Sequence, residues 1–132
     1  MSFIGQTSLP SNANFKLDNI PCDSSVAVGD FVRIDSFSVA QRALADTFDN
    51  SNLIGVVEEK LNSTSCNIRF LGASIDVFVG LDPTKEYYLS DTLPGKITTT
   101  VPTASGHVII KVGQPITPTQ LLILKGNRII RG

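Results

Sequence analysis

The sequence predicts an all-β protein, a single compact antiparallel β-barrel or β-sandwich preceded by a non-regular N-terminal arm. Three observations predict it. Ile, Val and Thr number 13, 11 and 11 against 7 Ala in 132 residues, and β-branched side chains suit a pleated surface better than a helix. Turn chemistry recurs at roughly the 8 to 12 residue spacing of sandwiches and barrels. No stretch sustains helical periodicity beyond about a turn.

The arm spans residues 1–17, where Phe3, Ile4, Leu9 and Phe15 lie without period among Ser, Asn, Gly and Pro. Such a segment cannot bury itself, so it either frays or is ordered by a partner, and in the second case these four residues are the expected contacts. The β-domain follows over residues 18–132. A first strand over 26–28 should end at the tight turn of Gly29-Asp30, and residues 31–35 alternate Phe31, Arg33, Asp35 against Val32, Ile34. Residues 39–44 fit a strand or one helical turn. Residues 53–59 are interrupted by Gly55, which marks a bulge or a close backbone approach. Cys66, Ile68 and Phe70 should share one core-facing side, and Ile75, Val77 and Val79 another.

Turns are best specified over residues 80–124. Asp82-Pro83-Thr84-Lys85 places Pro at the second position of a turn, and Leu93-Pro94-Gly95-Lys96 carries the Pro-Gly pair of a type II turn. Residues 86–90 and 97–101 should then be adjacent antiparallel strands, with one of Tyr87 and Tyr88 in the core. Strands over 108–112, 120–124 and 127–131 complete the set, the last two joined across Lys125-Gly126.

Composition excludes several functions. Eleven basic groups balance twelve acidic ones, without the basic excess that phosphate backbones require. No apolar run approaches the roughly 18 residues of a membrane span, and the N-terminus lacks a signal-peptide pattern. Neither nucleic acid nor membrane is an expected partner, and synthesis in a cytoplasm is expected. Cys22 and Cys66 are expected as buried thiols, and a single histidine without CxxC spacing gives no metal site. No cofactor is implied.

No catalytic residue is assigned. Ser90 or Ser105 with His107 and Asp91 supplies the residue types of a hydrolase, but no Gly-x-Ser-x-Gly elbow is present. Glu58 and Glu59, adjacent in a strand, should point to opposite faces, which prevents a shared glycosidic substrate. Asn62-Ser63-Thr64 fits a glycosylation sequon and equally a turn. Asp46, Asp49, Asn50 and Asn52 lack the spacing of a calcium loop.

Several elements together carry a resemblance: Gly80-Leu81-Asp82-Pro83, then Tyr87-Tyr88-Leu89-Ser90-Asp91-Thr92, Gly95, Ile97-Thr98-Thr99-Thr100, Pro102, Gly106-His107-Val108 and Val112-Gly113. Upstream, Val28-Gly29-Asp30-Phe31-Val32, Ala43-Leu44-Ala45-Asp46 and Ile54-Gly55-Val56-Val57 extend it over roughly residues 22–124. The pattern resembles the small β-domains of tailed-bacteriophage virion proteins, which occur in capsid decoration proteins, head fibres and tail-fibre or spike modules. The resemblance implies a structural motif without catalytic or metal positions. One domain behind a short arm, with no long shaft, fits a capsid decoration or cement protein at the capsid surface, bound to the major capsid protein or other virion proteins. Trimers are common among such proteins by the same resemblance, and apolar strand edges favour closed homo-oligomers on physical grounds. The alternative within the virion is a tail-fibre, spike or head-fibre module that binds a host glycan or adjoining tail protein through Tyr87, Tyr88 and nearby loops. A small Ser/His hydrolase is the reading from a different class.

Overall fold

The computed structural model describes residues 15–132. Twelve strands run in chain order: β1 (Lys16–Pro21), β2 (Phe31–Ile34), β3 (Ala40–Arg42), β4 (Gly55–Asn62), β5 (Ser65–Arg69), β6 (Gly72–Ala73), β7 (Tyr87–Leu89), β8 (Ile97–Thr98), β9 (Val108–Ile109), β10 (Lys111–Thr117), β11 (Gln120–Ile123) and β12 (Ile129–Ile130). They form two five-stranded antiparallel sheets, ordered β1-β5-β4-β2-β3 and β6-β11-β10-β7-β8, and a β9–β12 ribbon. The fold is all-β and sandwich-like, without a closed barrel, and no helix forms among the described residues.

Period-2 alternation explains the burial. Phe31 and Val56 point from the first sheet toward Leu89, Val112, Leu121 and Ile123 of the second, forming the main core. Their chain neighbours Val32 and Val57 point the other way, into a second cluster with Cys22, Val26, Ala40, Cys66 and Ile68. Both faces of the first sheet are therefore covered there, so β2 and β4 are apolar at consecutive positions and not strictly alternating. A single parallel bridge from Cys22 to Ala40 draws the two edges of this sheet together over the second cluster.

Several expectations are corrected. β1 begins at Lys16, inside the expected arm, because Lys16 and Leu17 pair with Arg69 and Ile68. Residues 26–28 form no strand: Val26 N–H donates to Asp23 and Asp30 N–H to Ala27, two successive turns. Residues 39–44 contain the strand β3 and not a helical turn, its Ala40 to Arg42 paired with β2. The segment 75–79 is not extended either, since Val77 N–H donates to Ile75 O and Gly80 turns at φ +75°. Val79 is 94% exposed, and Phe78 is the side chain that packs inward, stacked on Phe31 at 6.2 Å.

Residues 108–112 divide into β9 and β10, which belong to different sheets. β11 pairs with β10 and β6, and β12 with β9, so Lys125-Gly126 does not join a hairpin. Pro115 is accommodated because it lies beyond the reach of short β7, where β10 pairs only with β11. The expected pairing of residues 86–90 with 97–101 holds over β7 and β8.

Gly55 is a close approach: a Cβ there would sit 2.2 Å from the Arg69 carbonyl oxygen. The register shifts come further along β4, between Val57 and Glu59 and between Lys60 and Asn62.

Candidate interaction surface

Of the four expected arm contacts, Phe3, Ile4 and Leu9 lie outside the described residues. Phe15 is described. Its ring meets Phe70 edge-on at 6.1 Å, and its carbonyl accepts Phe70 N–H at 2.9 Å. Phe70 falls one residue past the end of β5, so it leaves the core side taken by Cys66 and Ile68 and lies partly exposed.

Beside this pair is an apolar groove of about 510 Å³ lined by Leu17, Ile34, Leu53, Ile54, Phe70 and Lys125. Three strand ends build it. Leu17 comes from edge strand β1, Ile34 ends β2, and Ile54 immediately precedes β4. Ile54 N–H is tied to Val32 O at 2.8 Å. Leu17, Ile34 and Phe70 are large apolar side chains exposed side by side there. Leu17, expected in the arm, and Phe70, expected in the core, both lie here, because no Gly or Pro adjoins the start of β1 or the end of β5 to mark it.

The catalytic residue types are only partly brought together. His107 Nδ1 lies 2.8 Å from Asp91 Oδ2. Ser90 is buried, and its Oγ accepts the N–H groups of Thr92 and Leu93, which makes it the cap of the turn before Pro94. Ser105 stands exposed in the loop before Gly106. No hydrogen bond joins His107 to a serine among the described residues.

Glu58 is buried and bonded to Arg69 Nε at 2.7 Å and to Ile75 N–H, while exposed Glu59 accepts from Asn67, so the two carboxylates are separated as expected. Tyr87 is core, its hydroxyl accepting Asp82 N–H, and only Tyr88 offers a surface ring. Asn62 Oδ1 accepts Thr64 N–H and Oγ1–H, turning the β4–β5 hairpin. Asn50 Nδ2 donates to Asp46 Oδ1, closing the 46–50 loop on itself.

Cys22 and Cys66 are both free and buried, and they are neighbours in the second cluster. Burial and the adjoining Cys22 thiol push the Cys66 thiol up to about 12. Comparisons with family models, with curated proteins and with solved structures return no match.

Proposed function

We propose that this chain is a structural protein of a tailed-bacteriophage virion, a decoration or cement protein that binds the assembled head and stabilises it. The observation that carries the reading is the apolar groove of Leu17, Ile34, Ile54 and Phe70, placed where the chain enters the domain at Phe15. It gives the domain a surface that gains from being covered. The resemblance over residues 22–124 supplies the class of partner, the major capsid protein. The motif residues behave structurally: Ser90 caps a turn, Gly95 and Gly106 take positive φ, and Tyr87 anchors the 82–85 turn.

The mechanism is linkage. A ligand that binds only the intact lattice raises the free energy of opening it, by RT ln(1 + [L]/Kd) per independent site. Homo-oligomerisation as a trimer is part of the proposal, since closed symmetry would cover exposed apolar surface on several copies at once.

Co-sedimentation with empty heads tests it, using the full chain, a chain lacking residues 1–14, and the groove variant Ile54→Asp. Binding by the full chain that both changes weaken supports the reading. Undiminished binding by both would sink the groove as the contact, and no binding by the full chain would sink the head assignment. Copy number on the particle separates the shell, at hundreds, from the tail, at a handful.

A further inference from the structure

A second cleft, of about 550 Å³, opens between the β2–β3 turn and the 46–52 loop; Arg33, Ser36, Asp49, Asn50, Asn52 and Arg128 line it. Arg33 is the unusual member. It lies on β2 opposite Gln41, and by alternation its side chain leaves the sheet on the face away from Val32 and Ile34. Its Nε is enclosed and unpartnered, the one such buried side-chain atom among the described residues. Neither the Arg33 guanidinium nor the Asp49 carboxylate has a hydrogen-bond or ion-pair partner among the described residues.

Other groups are positioned around it. Arg128 Nη1 donates to Phe48 O at 2.6 Å, and its guanidinium stacks 3.6 Å above the Phe48 ring. Lys125 holds Asn52 through its Oδ1 at 3.0 Å, leaving the amide N–H₂ uncommitted. Asp46 takes the Asn50 amide donor, leaving the carbonyl oxygen uncommitted. Asp35 is already occupied by the N–H groups of Phe37 and Val39 and by Gln41.

We propose that this cleft binds a sugar acid, a carboxylate carried on a polyhydroxylated ring, with Arg33 as the carboxylate partner. A planar guanidinium with free donors matches a carboxylate fork. Asp49 would repel a dianion such as phosphate more than a singly charged carboxylate, and it accepts hydroxyl donors well. The Asn50 carbonyl, the Asn52 amide and the Ser36 hydroxyl complete a set that both donates to and accepts from ring hydroxyls. The volume exceeds what a carboxylate alone needs and suits one or two sugar rings.

The test is amide-resolved NMR titration of the full chain with glucuronate and galacturonate, beside acetate and glucose. The expected result is shifts centred on residues 33–36 and 48–52 with a uronate, and at least about tenfold weaker binding of acetate and glucose. Arg33→Gln should lower uronate affinity by about tenfold or more, the loss of one charge-assisted pair, with the fold retained because no side-chain hydrogen bond or ion pair among the described residues is removed. Arg128→Gln, on the adjoining loop, should weaken binding as well and serves if Arg33→Gln does not fold. A tetrameric oligouronate that binds tighter than the monomer identifies a polysaccharide as source, and equal affinity identifies the free sugar acid. No uronate shifts at millimolar concentration, equal response to acetate, or unchanged affinity in both arginine variants would overturn the proposal.

Discussion

The carboxylate of Asp30 receives Lys96 Nζ at 2.8 Å across 66 residues of chain. Its other oxygen accepts Ala27 N–H at 2.9 Å, and Asp30 itself is buried. Phe31 N–H donates to Gly95 O in the same place. The turn ending at Gly29-Asp30 and the type II turn of Pro94-Gly95 are thus one joint between the two sheets. A Cβ on Gly95, already at φ +77°, would sit 2.9 Å from the Asp30 carboxyl carbon.

Asp30→Ala should therefore destabilise the domain by about 1–3 kcal/mol, because the part-buried Ala27 N–H and the Lys96 ammonium both lose their buried acceptor. Lys96→Ala should cost less than Asp30→Ala, about 1 kcal/mol, since the lysine is half exposed and its removal opens the Asp30 oxygen it covers to water. Gly95→Ala should cost more than about 1 kcal/mol from the φ and the contact together. Urea denaturation of the three variants checks the order; a Lys96→Ala loss equal to Asp30→Ala would contradict it.

Glu58→Ala removes a buried carboxylate from Arg69 and from Ile75 N–H. Breaking a buried pair costs roughly 3–5 kcal/mol, and Arg69 keeps some solvent, so the lower end of that range is expected. Glu59→Ala, on the exposed face, should cost under about 1 kcal/mol. Thermal melting of the two variants tests the asymmetry.

With the Cys66 thiol pushed up to about 12 and both cysteines buried, native protein at pH 8 should react with neither an aromatic disulfide nor iodoacetamide on the minutes scale. Both thiols should react in denaturant. Fast labelling of the folded protein would show that the second cluster opens more readily than its packing implies.

Acid should destabilise the domain. The Asp35 carboxyl is held below the usual range first by Gln41 and then by the amides of Val39 and Phe37. Thr84 does the same to Asp82, and Lys111, with Tyr88, to Glu86. A depressed folded-state pKa gives stability that is fully present above the unfolded value, about 4, and lost as pH falls through the folded one. Stability should be level above about pH 5 and decline below about pH 4. Asp35→Asn should flatten part of that decline in a pH series of urea midpoints.

Much of the fold was legible because turn chemistry is local. Pro94-Gly95 declares its type II turn, with Lys96 N–H donating to Leu93 O, through the φ that Pro imposes and the positive φ that Gly allows. The candidate surface was less legible. Leu17 and Phe70 differ in nothing local from core residues, and strand ends without Gly or Pro leave no mark.

By itself, the sequence determined the all-β class, the turns over 80–124 and that one of the neighbours Tyr87 and Tyr88 lies in the core, all consequences of backbone dihedrals and period-2 alternation. Tertiary structure alone decided which strands became partners: that residues 108–112 serve two sheets, that β12 returns to β9, and that Arg33 and Arg128 face one cleft. Pairing depends on which apolar faces bury each other across long loops, and loop-closure cost varies too slowly with length for sequence distance to announce the partner.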